Sequence, residues 1–76
     1  MFSYSDTISE FRHRLGITQE ELASSLGVSF TTVNRWERGH AEPRKSVISK
    51  LKEIYPMFEA LEKNRKEDHR YNVYAL

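Results

Sequence analysis

Apolar side chains along the chain recur at intervals of three and four residues and β-branched runs are absent, so the pattern predicts helices throughout and no sheet. Ser5 or Asp6 serves as N-cap of a first helix in which Ile8, Phe11 and Leu15 share one stripe, and Gly16 ends it in the left-handed conformation. Thr18 followed by Glu21 reads as a capping box that opens a second helix, with Leu22, Ala23 and Leu26 as its buried face and Gly27 closing it. Ser29 caps a third helix only a Gly27-Val28-Ser29 step later. Val33 and Trp36 lie on one side of that helix and Gly39 stops it, with Arg38 just inside the negative end of its dipole. Pro43 falls near the first turn of a fourth helix with Val47, Ile48, Leu51 and Ile54 turned inward, and Pro56 ends or kinks it.

Beyond Pro56, Met57, Phe58 and Leu61 carry the apolar stripe for one more turn. Residues 62–70 contain no apolar side chain, so the pattern excludes them from a core and predicts a solvated helix, with Glu59–Lys63 and Glu62–Lys66 as i,i+4 pairs. The final YNVYAL is apolar again. Length bounds the rest: 76 residues suffice for one domain that buries roughly 60–65% of its unfolded surface.

Composition narrows the chemistry. The absence of cysteine excludes disulfides, thiolate zinc sites and cysteine nucleophiles. No window approaches the ~18 apolar residues of a membrane span and no basic residue precedes Arg12, so a soluble, unexported cytoplasmic protein without a membrane partner is expected. His13, His40 and His69 are far apart and none has a second ligand at i+3 or i+4, so no metal and no cofactor is expected. There is no Gly-rich phosphate loop and no Ser-His-carboxylate set, which makes an enzyme the least expected class. The net charge of +1 points to no partner, and its distribution is uneven. Residues 35–52 carry six basic side chains against two acidic ones, whereas residues 1–34 carry two against four. Such a run is a solvated face unless the fold turns it into a binding surface.

The stretch QEELASSLGVSFTTVNRWER, residues 19–38, has small and apolar residues where two helices crossing steeply over a tight turn need them. Ala23 keeps one helix slim at the crossing, Gly27 takes the turn's left-handed residue, and Val28 plugs the turn. With GITQEELASSLGVSFTTVNRWERG followed by Pro43-Arg44, residues 8–51 resemble the helix-turn-helix domain of the Cro and C1 repressor, or XRE, family. The resemblance implies an all-α, compact four- to five-helix bundle of the lambda-repressor type. Residues 1–61 would be the DNA-binding domain, 30–38 the recognition helix, and 62–76 a polar helix with an apolar tail.

On that resemblance Phe30, Thr31, Thr32 and Arg35 face a major groove of double-stranded DNA, opposite Val33 and Trp36. Arg35 suits a bidentate contact to guanine, and the threonines suit a base edge or a thymine methyl. Phe30 departs from the polar residue usual at its place; it packs on thymine methyls or makes a local hydrophobic contact that reads nothing. Gln19, Ser29, Asn34, Arg38, His40, Arg44 and Lys45 would hold phosphates, and Lys50 and Lys52 would face water or another subunit. Arg12 and Glu37 match a structural ion pair of the family, and Trp36 is core.

The function implied is a bacterial or phage transcriptional repressor, bound as a homodimer to a palindromic operator with half-sites about 34 Å apart. Residues 47–61, with Tyr55, Met57 and Phe58, are the expected dimer surface. An alternative is an antitoxin that grips a toxin through Tyr71, Val73, Tyr74 and Leu76; the bland reading of that tail is a frayed terminus.

Overall fold

Capping side chains and left-handed glycines set the starts of the first three helices and the ends of the first two. The structure, a computed structural model, describes the backbone of residues 2–75 and the side chains of residues 2–67. It contains helices α1 (Tyr4–Leu15), α2 (Gln19–Leu26), α3 (Phe30–Glu37), α4 (Lys45–Ile54) and α5 (Pro56–Ala75), and no strand among the described residues. The capping box of α2 forms as expected, Thr18 Oγ1 accepting from the Glu21 N–H at 3.0 Å and Glu21 Oε1 from the Thr18 N–H at 2.8 Å. Gly16 and Gly27 end α1 and α2 with φ of 70° and 71°.

Three boundaries differ from the sequence reading. The cap of α1 is Ser3, neither Ser5 nor Asp6: Ser3 Oγ accepts from the Ser5 N–H, while the Ser5 hydroxyl donates to the Glu37 carbonyl at 2.7 Å. Ser5 thus satisfies a carbonyl at the end of α3, a tertiary use that no local pattern signals. Pro43 is buried just outside α4, whose N-cap is Arg44 and carries no side-chain capping bond. The third helix stops at Glu37 with Arg38 as its C-cap. Pro56 both ends α4 and opens α5, with Tyr55 forced out of helical geometry at ψ 87°.

One core joins all five helices, with Ile8 and Phe11 from α1, Leu22 and Leu26 from α2, Val33 and Trp36 from α3, Ile48 and Leu51 from α4, and Phe58 and Leu61 from α5. Phe11 stands edge-on to Tyr55 at 5.1 Å and to Phe58 at 5.3 Å between ring centroids. Phe58 is fully buried there, so it is no dimer contact. Ile54, expected inward, and Met57, expected on the stripe, are 42% and 39% exposed, because the α4–α5 corner swings both out of the core.

The polar run after Leu61 does not stay in solvent from its first residue. Glu62 is buried: it accepts from the Tyr4 hydroxyl, lies 2.8 Å from Lys52 Nζ, and meets Lys66 at 3.6 Å. A carboxylate tolerates burial when every oxygen is paired, which composition alone cannot foresee. Lys52, expected in water or on another subunit, thus pairs within the domain with its side chain about one-third exposed. Glu59 and Lys63 form no ion pair among the described residues. Arg65 adds a second strap, donating to Glu10 of α1 at 2.8 Å. The backbone of α5 runs unbroken past position 62. The expected partner contacts of Tyr71, Val73, Tyr74 and Leu76 fall outside the described side chains.

Candidate nucleic-acid interface

The tight turn between α2 and α3 is built from three residues. Gly27 takes the left-handed conformation and sends its N–H to the carbonyls of Ala23 and Ser24. Val28 is partly buried against the core, its N–H on the Ala23 carbonyl at 3.0 Å. Ser29 is extended, and its Oγ accepts from the Thr32 N–H at 3.1 Å and meets Thr32 Oγ1 at 2.9 Å.

That turn aims α3. Val33 and Trp36 are buried, at 0% and 4% exposure, and fix which face points in. On the other face Phe30, Thr31 and Arg35 are exposed and Thr32 is half-buried. Phe30, at 49% exposure, belongs to no part of the core. Among the described residues the Arg35 guanidinium reaches only the His40 carbonyl, at 3.5 Å, and so keeps most of its five donors. Arg38, His40, Arg44 and Lys45 are all exposed along the loop from the end of α3 to the start of α4. Exposed Arg38 at the C-terminus of α3 and exposed Arg44 and Lys45 at the uncapped N-terminus of α4 follow that face along the chain, with exposed Glu42 between them.

Gln19 and Asn34, separate on the sequence, meet. Asn34 Nδ2 donates to Gln19 Oε1 at 3.2 Å, and Gln19 Nε2 donates to Glu37 Oε1 at 3.1 Å. Glu37 is in turn forked by Arg12, with Nε to Oε2 at 2.7 Å and Nη2 to Oε1 at 3.0 Å, while Arg12 Nη1 reaches the Ile17 carbonyl at 3.1 Å. The side chains of Arg12 and Glu37 are only 15% and 8% exposed. Burial opposes the charge of Glu37, but the hydrogen bonds from Arg12 and Gln19 and the Arg12 charge outweigh it and hold the carboxyl below its ordinary range.

This arrangement agrees with what comparison with known proteins finds: residues 8–56 match the helix-turn-helix family model. The chain belongs to the Cro/C1-type helix-turn-helix family. The family match supports a DNA-binding module over residues 8–56. Over 40 residues, 49% of the chain, it is also 50% identical to the Type II methyltransferase M.SsoII of Shigella sonnei. The chain spans only 11% of that protein's length. No solved structure matches it. Among the described residues no helix of this helix-turn-helix protein is long and apolar enough to cross a membrane.

Two contributors escaped the sequence reading. Ser5 closes the end of α3, and Lys50 Nζ, expected in water or on another subunit, donates to the Leu26 carbonyl at 3.2 Å. Both act across long sequence separations, and neither residue type carries a local signal for it.

Proposed function

We propose that the chain is a sequence-specific repressor that binds double-stranded DNA as a homodimer on a two-fold symmetric operator. The observation that supports it is the outward face of α3. Phe30, Thr31 and Arg35 stand exposed opposite the buried Val33 and Trp36, on a helix anchored firmly enough to present them in one register. In this reading Arg35 grips a guanine edge through two donors, Thr31 and Thr32 read neighbouring bases, and Phe30 lies against thymine methyls. Gln19, Ser29, Asn34, Arg38, His40, Arg44 and Lys45 hold phosphates on either side and set affinity and salt dependence. One such domain buries too little DNA surface for tight specific binding, so a second copy on a symmetric site is part of the reading. The reading is one of binding rather than catalysis, carried by an exposed helix face on which Thr31 and Arg35 offer hydrogen-bond donors beside the Phe30 ring.

Selection of bound sequences from random duplex DNA, run in parallel with Arg35→Ala, tests this. The expected result is a two-fold symmetric motif that Arg35→Ala relaxes at one position in each half-site. Binding without sequence preference, equally sensitive to salt in both proteins, would remove the specific-regulator reading.

A further inference from the structure

Glu37 does more than hold two helices together. A carboxylate accepts hydrogen bonds and donates none, so the amide of Gln19 must turn its NH2 group toward Glu37. Its carbonyl oxygen then faces Asn34, which must in turn offer its own NH2 group. The direction of both amides is therefore set from one end, by a charge locked in place by the Arg12 fork. Once these bonds are made, Gln19 and Asn34 each keep one N–H. A phosphate oxygen only accepts, so those remaining donors are what a DNA backbone needs, and an amide turned the other way would present an oxygen to it instead.

We propose that Glu37 is a positioning residue for DNA binding. Through Gln19 it fixes the donor direction of Gln19 and Asn34, and the two amides grip the phosphate backbone as one unit. The inference rests on the reading of Gln19 and Asn34 as phosphate contacts. It adds a residue that touches no DNA, and it links α1, α2 and α3 through a chain with a defined polarity. The chain Arg12 to Glu37 to Gln19 to Asn34 runs across α1, α3 and α2, and a neutral group of the same size at 37 leaves the amides free to turn.

Two measurements on the full chain test it. The first needs no DNA: side-chain amide NMR signals of Gln19 and Asn34 in the free protein. The wild type is expected to show both NH2 groups shifted from solvent-exposed values and slowed in exchange. In Glu37→Gln they return to exposed values while the backbone signals of α2 and α3 stay in place. Should Glu37→Gln fail to fold with Arg12 unpaired, Arg12→Gln/Glu37→Gln leaves no unpaired charge at that site and is measured instead. The second is a double-mutant cycle of Gln19→Ala and Asn34→Ala, read by anisotropy on a short mixed-sequence DNA duplex at low salt. Each single change is expected to lower affinity about tenfold, with the pair little worse than either alone. Gln19→Ala is likewise expected to add little once Glu37→Gln is present. Amide signals unmoved by Glu37→Gln, or losses that simply multiply, overturn the unit. Wild-type affinity in both alanine variants overturns the phosphate contacts as well, and the NMR signals then show separately whether the polarity chain exists.

Discussion

The Lys50 ammonium lies 3.2 Å from the Leu26 carbonyl oxygen, where α2 gives way to the turn before α3. A carbonyl in the last turn of a helix has no intrahelical partner, and a cation there meets the negative end of the dipole as well. The same ammonium would stand 3.8 Å from a Cβ placed on Gly27, so α4 braces the turn that aims α3. Lys50→Met keeps the apolar stem and removes the donor. It is expected to destabilise the domain by about 1 kcal/mol, or roughly 4–8 °C in Tm, read by thermal unfolding.

Arg12→Ala leaves the Glu37 carboxylate buried without its fork. Breaking one partner of a buried pair typically costs about 3–5 kcal/mol, a large share of the stability of so small a domain. Urea unfolding of Arg12→Ala should therefore begin at far lower denaturant than in the wild type. Arg12→Met/Glu37→Met, which removes both charges, should recover most of that loss. A double variant as unstable as the single one would place the deficit in packing instead.

Acid should weaken the fold through its buried carboxylates. Burial opposes the charges of Glu37 and Glu62, but hydrogen bonds from Arg12 and Gln19 on one, and from Lys52 and Tyr4 on the other, hold both below the ordinary value of 4.5. A carboxyl depressed in the folded state stabilises it fully above the unfolded value, and that contribution disappears as pH falls through the folded value. The urea midpoint should thus be level near neutrality and drop as pH falls below about 4.5. Glu62→Gln should be less stable near neutrality and show a shallower drop, as followed by circular dichroism across the same range.

Phe30 has two readings that one substitution separates. At 49% exposure and outside the core, it contributes little to folding, so Phe30→Ala should change stability by no more than about 0.5 kcal/mol. A contact with thymine methyls predicts that the same variant loses preference for thymine at one position in the selected motif. An unchanged motif with unchanged stability would leave the ring without a role in either.

The all-helical class and both helix-turn-helix partners were legible because their signals are local. The Thr18-Glu21 box, Gly27 and the three-residue spacing of Val33 and Trp36 each act within one or two turns of chain. The outward face of α3 followed from the same spacing, since knowing which side is buried tells which side is free. The membership in a helix-turn-helix family was carried by that same stretch.

What the sequence by itself determined is thus the helical element type, the caps of α2, the turn after it and the start of α3, and the buried faces of α2 and α3. Tertiary structure alone decided where the long polar side chains ended. Tyr4 and Lys52 bury Glu62, Lys50 caps α2, Ser5 closes α3, and Gln19 and Asn34 join a chain that begins at Arg12. The physical reason is reach and desolvation. A lysine, glutamate or glutamine samples many positions, and its preferred one depends on which partner the fold brings close enough to replace water.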